Sequence, residues 1–335
     1  MLREYLVSEA MHALNIPTTR SLAVVKTGEA VFRETPQPGA VLTRVARSHI
    51  RVGTFEYAAA RQDRELLQTL LDYTLDRHFP ELADAGNKAL ALIDAVSGRQ
   101  ADLIVHWMRT GFIHGVMNTD NMALSGETID YGPCAFMDAF HPATGFSSID
   151  MAGRYAYGNQ PVMAQWNLAR LAEALLPLID ADDDKTVELA SERVNAFAPL
   201  YEDKWRGMMR AKLGLFGSHE DDDALIGGLL DWMQREGADY TNTFRDLCAE
   251  SLPAGKPYDA PGFREWNRRW QERLARNPKP LESARCLMRA HNPAVIPRNH
   301  KVEEALEAAG SGDMGPFHAM LEALRTPYAD PPASS

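Results

Sequence analysis

The chain carries two polar segments separated by eight residues, HGVMNTDN at 114–121 and DYGPCAFMD at 130–138. Both lie within a loop-rich stretch, 111–162, that has little periodicity and many Gly, Asp, Asn and Pro residues. Long loops in compact domains are usually either functional or disordered, and this composition is not that of a disordered segment. We therefore expect the chemistry of the protein to be concentrated in this stretch.

The intervening residues, MALSGETI, predict a tight hairpin around Ser125 and Gly126. Such a hairpin would bring Asn121 close to Asp130. Mg²⁺ takes hard oxygen ligands, usually one or two from carboxylate or carboxamide groups and the rest from phosphates and waters. A polar loop, a hairpin and a second Asp followed by X-Gly therefore indicate the type of site with which kinase-like folds hold a metal-bound nucleotide.

Asp120 precedes the predicted metal ligand Asn121 and would orient or deprotonate an attacking hydroxyl. A turn or a helix cap is the structural alternative for this Asp-Asn pair, because both residues favour such positions. The second Asp-X-Gly motif, at Asp130, favours the functional interpretation.

Two arginines, one histidine and one glutamate outside this pair of aspartates are further candidates for a role in the site. Arg44 and Arg51 lie in TRVARSHIRVG, with Arg47 between them, and guanidinium groups hold phosphate oxygens in a bidentate manner. A solvated strand face is the alternative, and spacing alone favours it. His114 is interpreted as a structural hydrogen-bonding residue, because no second histidine lies at metal-ligand spacing. Glu4, away from the apolar face of the first helix, is by default a surface glutamate.

The pattern of the whole chain predicts an α+β protein that is mostly helical. Apolar residues at helical spacing indicate a helix over 2–15, and short Val-rich segments after it indicate two or three antiparallel strands. Helical periodicity dominates from Thr54 onward. The predicted organisation is a small lobe at 1–53, a large helical lobe with the polar loops at 54–325, and a frayed tail at 326–335.

The composition excludes several classes of protein to which the chain could belong. With 35 basic and 46 acidic residues the net charge is −11, which opposes general attraction to nucleic acid or to an anionic membrane surface. The charged N-terminal segment does not resemble a signal peptide, and no apolar run has membrane-spanning length, so we expect a cytoplasmic protein. Three cysteines without a CxxC pair predict reduced thiols.

The two polar segments resemble those of the selenoprotein O family, the protein adenylyltransferases once described as pseudokinases. The similarity covers nearly the whole chain. It continues through REYLVSEAMHALNIPTTR, LTRVARSHIRVGTFEY, SSIDMAGRYAYGNQP, WNLARLAEALLPL and NPAVIPRNHKVEEAL.

This resemblance implies a protein-kinase-like fold with an incomplete small N-lobe and a large helical C-lobe. It implies a flipped ATP whose AMP is transferred to a Ser, Thr or Tyr hydroxyl of a protein substrate, with UTP as a further donor. The implied roles are Asp120 as proton acceptor, Asn121 and Asp130 as ligands of Mg²⁺ or Mn²⁺, Arg44 and Arg51 as phosphate contacts, and Glu4 as the partner of an ATP-binding lysine.

The chain departs from the family pattern at both ends. No glycine-bearing nucleotide loop or lysine precedes the helix of Glu4, since Lys26 comes after it, and PPASS lacks the cysteine or selenocysteine element of many relatives. We therefore expect a truncated protein in which Glu4 is unpaired and ATP binds weakly or not at all. Phosphoryl transfer by a kinase-like fold and a catalytically inactive, partner-binding module are the alternatives.

Overall fold

The structure, a computed structural model, describes residues 1–32, 36–255 and 257–330. It confirms the predicted α+β class, because the chain is mostly helical with small antiparallel sheets. Within the described ranges, every helix is too short or too polar to cross a lipid bilayer.

Thirteen α-helices and four β-strands lie in these ranges. The strands are β1 Arg20–Phe32, β2 Pro36–Val45, β3 Phe112–Ile113 and β4 Ala135–Phe136. The helices are α1 Leu2–Ala13, α2 Val52–Ala60, α3 Arg64–His78, α4 Lys88–Thr110, α5 Gln160–Leu175, α6 Asp183–Asn195, α7 Phe197–Lys212, α8 Asp222–Glu236, α9 Tyr240–Asp246, α10 Pro261–Ala275, α11 Leu281–His291, α12 Asn299–Gly310 and α13 Gly315–Ala323.

Strands β1 and β2 form a two-stranded antiparallel ribbon that leans on α1. The register pairs Ser21 with Arg44, and the hydroxyl of Ser21 lies 2.9 Å from that of Ser8 on α1. This pairing carries Arg44 to the first turns of α1. Further along the ribbon, Val25 and Phe32 are exposed, so its distal half lacks an apolar partner among the described residues.

Helix α4 is the central element of the large core. Asn87 caps its N-terminus, where its side chain accepts a hydrogen bond from the backbone N of Leu90 at 3.1 Å, and Gly111 follows its last residue. The chain then enters β3, which pairs with β4. Because β3 and β4 lie on either side of the polar loop in sequence, their pairing closes that loop at its base.

Helix α1 is held from two sides. One face packs into the main core through Val7 and Met11. The other face forms a second apolar cluster with α12 and α13, to which Leu6, Val302 and Phe317 contribute. The C-terminal helices therefore fix the orientation of the helix that carries Glu4.

The predicted hairpin between Asn121 and Asp130 is wrong in its pairing. Its two flanks do not pair with each other: Ala123 forms an antiparallel bridge with Arg51, and Thr128 a parallel bridge with Thr18. Both flanks find partners outside the segment, so only a tight turn remains between them. The two ends of the segment nevertheless come together, as the hairpin implied.

Other differences concern element boundaries. The two or three strands expected after the first helix are β1 and β2 in the structure, with register shifts between Ser21 and Ala23 and between Lys26 and Ala30, while residues 33–35 lie outside the described residues.

The segment 326–330, part of the predicted frayed tail, contacts the body of the protein. The carbonyl of Pro327 accepts hydrogen bonds from the backbone N atoms of Ala294 at 2.7 Å and Val295 at 3.1 Å. The hydroxyl of Tyr328 donates to the carbonyl of Leu14 at 3.0 Å. Residues 331–335 lie outside the described residues.

Replacement of Gly111 by alanine tests the end of α4. Gly111 has φ +73°, where a Cβ is disfavoured by about 1–2 kcal/mol, and that Cβ would lie 3.1 Å from Cδ1 of Tyr240. We expect Gly111→Ala to lower the free energy of unfolding by about 1–2 kcal/mol in urea denaturation. Gly86→Ala is the control, since Gly86 lies outside the left-handed region and has no neighbour within 4 Å. Equal effects of the two substitutions would contradict this account.

Candidate functional site

Asp120 and Asn121 lie in a short 3₁₀ turn, Thr119–Asn121. The side chain of Asn118 accepts a hydrogen bond from the backbone N of Asp120 at 3.1 Å, and the carbonyl of Asn118 accepts one from the N of Asn121 at 3.0 Å. The local geometry is therefore the turn that these residue types favour. That turn also directs the carboxamide of Asn121 toward Asp130.

The carboxylate of Asp130 is the centre of a polar cluster. Its Oδ1 accepts a hydrogen bond from Nη2 of Arg44 at 2.6 Å, and its Oδ2 accepts one from Nδ2 of Asn121 at 3.2 Å. Nη1 of Arg51 lies 3.7 Å from Oδ2. One carboxylate thus contacts side chains from three separate segments, including both predicted phosphate-binding arginines.

The backbone of Asp130 is unusual. Its φ is +64°, a region that residues other than glycine seldom occupy, and its carbonyl accepts a hydrogen bond from the N of Gly132 at 2.9 Å. Such conformations persist only where the surroundings hold them, and they are concentrated at functional sites. The contacts of Asp130 with Arg44 and Asn121 are part of that support.

Glu4 is not an isolated surface residue, and the expectation that it would be unpaired is wrong. Its Oε1 accepts a hydrogen bond from Nε of Arg44 at 2.9 Å and also contacts Nη2 of Arg44. The ribbon register places Arg44 against α1, so the partner of Glu4 is an arginine that follows the helix in sequence. Burial works against the charged form of Arg44, but the carboxylates of Glu4 and Asp130 raise its pKa.

Arg51 has unused hydrogen-bonding capacity. Its backbone is fixed by the bridge to Ala123, and its N donates to Oγ1 of Thr54 at 3.1 Å. Its buried Nε has no hydrogen-bond partner among the described residues. An orphaned guanidinium donor beside Asp130 fits an anionic ligand better than a solvated strand face. Arg47 lies apart from this cluster. Its side chain is exposed, and its backbone N donates a hydrogen bond to Oε2 of Glu127 at 3.1 Å.

The donor set fits a magnesium or manganese ion that is shared with a nucleotide. Asp130 supplies a carboxylate and Asn121 a carboxamide, which are the one or two protein ligands that Mg²⁺ typically takes beside phosphates. In the described part of the chain, no group of three or more His, Cys, Asp or Glu side chains could form a metal site by itself. Asp120 is exposed, and its carboxylate lies beside Gly53.

His114 has the structural role that the sequence suggested. It is fully buried, its Nε2 lies 2.8 Å from the carbonyl of Ile129, and the N of Val116 lies 3.4 Å from its Nδ1. These contacts assign the neutral ring with the proton on Nε2. Burial lowers the pKa of His114, which favours that neutral form. The histidine thereby holds the residue before Asp130.

Sequence reasoning missed two arginines that hold the segment after Asp130. Nη1 of Arg3 donates to the carbonyl of Cys134 at 3.0 Å, while Arg3 also contacts Glu303 on α12. Arg298 donates to Asp239 at 2.7 Å and contacts Asp138. These contacts join residues more than 50 positions apart, and no local motif marks them.

Comparisons with known proteins agree on one family. The family model described as "Protein adenylyltransferase SelO" matches residues 1–325. The chain is 63% identical over 331 residues to a protein nucleotidyltransferase YdiU of Alcanivorax borkumensis, which covers 98% of this chain and 68% of the relative. It is 57% identical to the YdiU of Nitrosococcus oceani, over 98% and 67% of the two chains, and 58% identical to that of Syntrophotalea carbinolica, over 99% and 68%.

The contribution of Arg44 to the stability of the protein can be tested by comparison with Arg268. Arg44 contacts two carboxylates with only 20% of its side chain exposed, whereas Arg268 contacts Glu265 and Glu272 with 56% exposed. Arg44→Met leaves two partly buried carboxylates without their cation, so we expect it to lower the free energy of unfolding by about 1–3 kcal/mol. Arg268→Met should cause no measurable change in the same urea denaturation. A similar loss of stability in both variants would show that the burial of Arg44 and its carboxylates does not determine their contribution to stability.

Proposed function

The chain belongs to the SelO family of protein adenylyltransferases, and we propose that it transfers AMP from ATP to Ser, Thr or Tyr hydroxyls of proteins, with release of pyrophosphate. The observation that carries this proposal is the cluster around Asp130, where two arginines and one carboxamide converge on one carboxylate. The names of the relatives support the class of reaction, nucleotidyl transfer. We further propose that the helical body and its small ribbon form a kinase-like fold.

In this proposal Arg44 and Arg51 bind the phosphates. Their positive charges lie within 4 Å of Asp130, and the free Nε of Arg51 offers a donor to a phosphate oxygen. Asn121 and Asp130 would hold Mg²⁺ or Mn²⁺. When bound, that ion would supply neutralisation of the charge that develops on the phosphates.

Asp120 would act as the proton acceptor. Its carboxylate is exposed and lies beside the N-terminal turn of α2, where the helix dipole favours a negative charge. The hydroxyl oxygen of the protein substrate forms a bond to the α-phosphorus, and the bond from that phosphorus to the bridging oxygen breaks. Pyrophosphate leaves with the bonding electrons, and the hydroxyl proton goes to Asp120. Protein-bound Ser, Thr and Tyr are the proposed acceptors, and UTP is a further candidate donor.

Labelled ATP tests the proposed reaction. We expect protein to acquire label from ATP labelled at the α-phosphate and none from ATP labelled at the γ-phosphate. Asp120→Asn should lower the rate on the order of 100-fold, because general-base contributions are commonly of that size. Glu188→Gln, which changes an exposed carboxylate on α6, is the control. Label from the γ-phosphate alone would support a phosphotransferase, and nucleotide binding without any label would support an inactive partner-binding module.

Manganese binding tests the proposed metal ligands. Arg44 places a positive charge 2.6 Å from Oδ1 of Asp130, which disfavours a second cation there. Without nucleotide, Arg44→Met should therefore bind Mn²⁺ roughly tenfold more tightly than the unchanged protein, as followed by electron paramagnetic resonance. Asp130→Asn should bind Mn²⁺ least. Unchanged affinity in both variants would mean that the ion binds elsewhere.

A further inference from the structure

Gly53 lies where there is no room for a side chain. It is the second residue of α2, and a Cβ built on it would lie 2.5 Å from Oδ1 and 3.3 Å from Cγ of Asp120. Real Cβ atoms essentially never approach another heavy atom more closely than 3.0 Å. A side chain at position 53 and the present position of the Asp120 carboxylate therefore exclude each other.

The backbone does not require a glycine at this position. Gly53 lies within a helix and outside the left-handed region, so alanine could adopt its conformation without strain. Glycine is also a poorer helix former than alanine, so helix stability gives no reason for a glycine at this position. The space that its missing Cβ leaves to Asp120 supplies such a reason.

The helix cannot easily retreat from a Cβ at position 53. The N of Val52 donates to the carbonyl of Met122 at 3.0 Å, and the N of Leu124 donates to the carbonyl of Ile50 at 3.0 Å. Val52 and Phe55 are fully buried in the core. The exposed carboxylate of Asp120 accepts no hydrogen bond from the residues that the structure describes, so it would be the group that moves.

We propose that Gly53 is a positioning residue, which permits the Asp120 carboxylate to lie beside the first turn of α2 because no Cβ occupies that space. The proposal rests on the proposed role of Asp120 as proton acceptor. In this proposal the first turn of α2 lines the active site. The helix is hydrogen-bonded to the residues after Asn121, and the Asp120 carboxylate lies against Gly53, which has no Cβ.

The substitution Gly53→Ala tests this proposal in two independent measurements. In its crystal structure we expect the Asp120 carboxylate to move by about 1 Å or more while α2 stays in place, a displacement that can lower the rate on the order of 100-fold. The affinity for nucleotide should not change, and the melting temperature should stay the same or rise. Gly227→Ala on α8, where no atom lies within 4 Å of the added Cβ, is the matched control.

A double variant separates positioning from a general effect of the alanine. With Asp120→Ala already present, Gly53→Ala should cause no further loss of rate, because the group that it displaces is gone. The proposal is wrong if the carboxylate of Asp120 keeps its place in Gly53→Ala, or if α2 shifts instead. Absence of transfer in the unchanged protein would contradict the proposed function, whereas the crystal structure would still decide the placement of Asp120.

Discussion

The site depends on one electrostatic requirement, the neutralisation of the Asp130 carboxylate. Arg44 meets it at one oxygen while it also contacts Glu4, and Asn121 and Arg51 approach the other. These three partners of Asp130 come from the ribbon, the polar turn and the start of α2, and Glu4, which shares Arg44 with Asp130, lies on the first helix. A single carboxylate thereby determines how segments separated by up to 126 residues meet, since Glu4 and Asp130 share the same guanidinium.

The rest of the fold keeps Asp130 in an uncommon backbone conformation. His114 holds Ile129 on one side of it, and Arg3 holds Cys134 on the other. Both supports are partly or fully buried, and both use a side chain to hold a backbone carbonyl. The apolar contact of α1 with α12 and α13 then fixes the helix from which Arg3 and Glu4 extend. Residues near the C-terminus thus contribute to a site that lies mainly in the first 130 positions.

Local sequence signals were sufficient for the elements and for part of the site. The helical period of α1 and the proximity of Asn121 to Asp130 follow from spacing and residue type within short windows. The pairing of Arg44 with Glu4 could not be predicted, because it depends on the register of a ribbon against a helix. The roles of Arg3 and Gly53 could not be predicted for related reasons. Their partners are distant in sequence, and the role of Gly53 depends on the Cβ that it lacks.

The ribbon register has a consequence for how the protein tolerates insertions and deletions. Side chains alternate between the two faces of a strand, so a shift of β2 by one residue would turn Arg44 to the opposite face and leave both of its carboxylates without a cation. The contact between Ser8 and Ser21 anchors the register at the end nearest α1. Length variation during evolution should therefore concentrate at the exposed far end of the ribbon, while the stretch that pairs Arg20 with Val45 keeps its length.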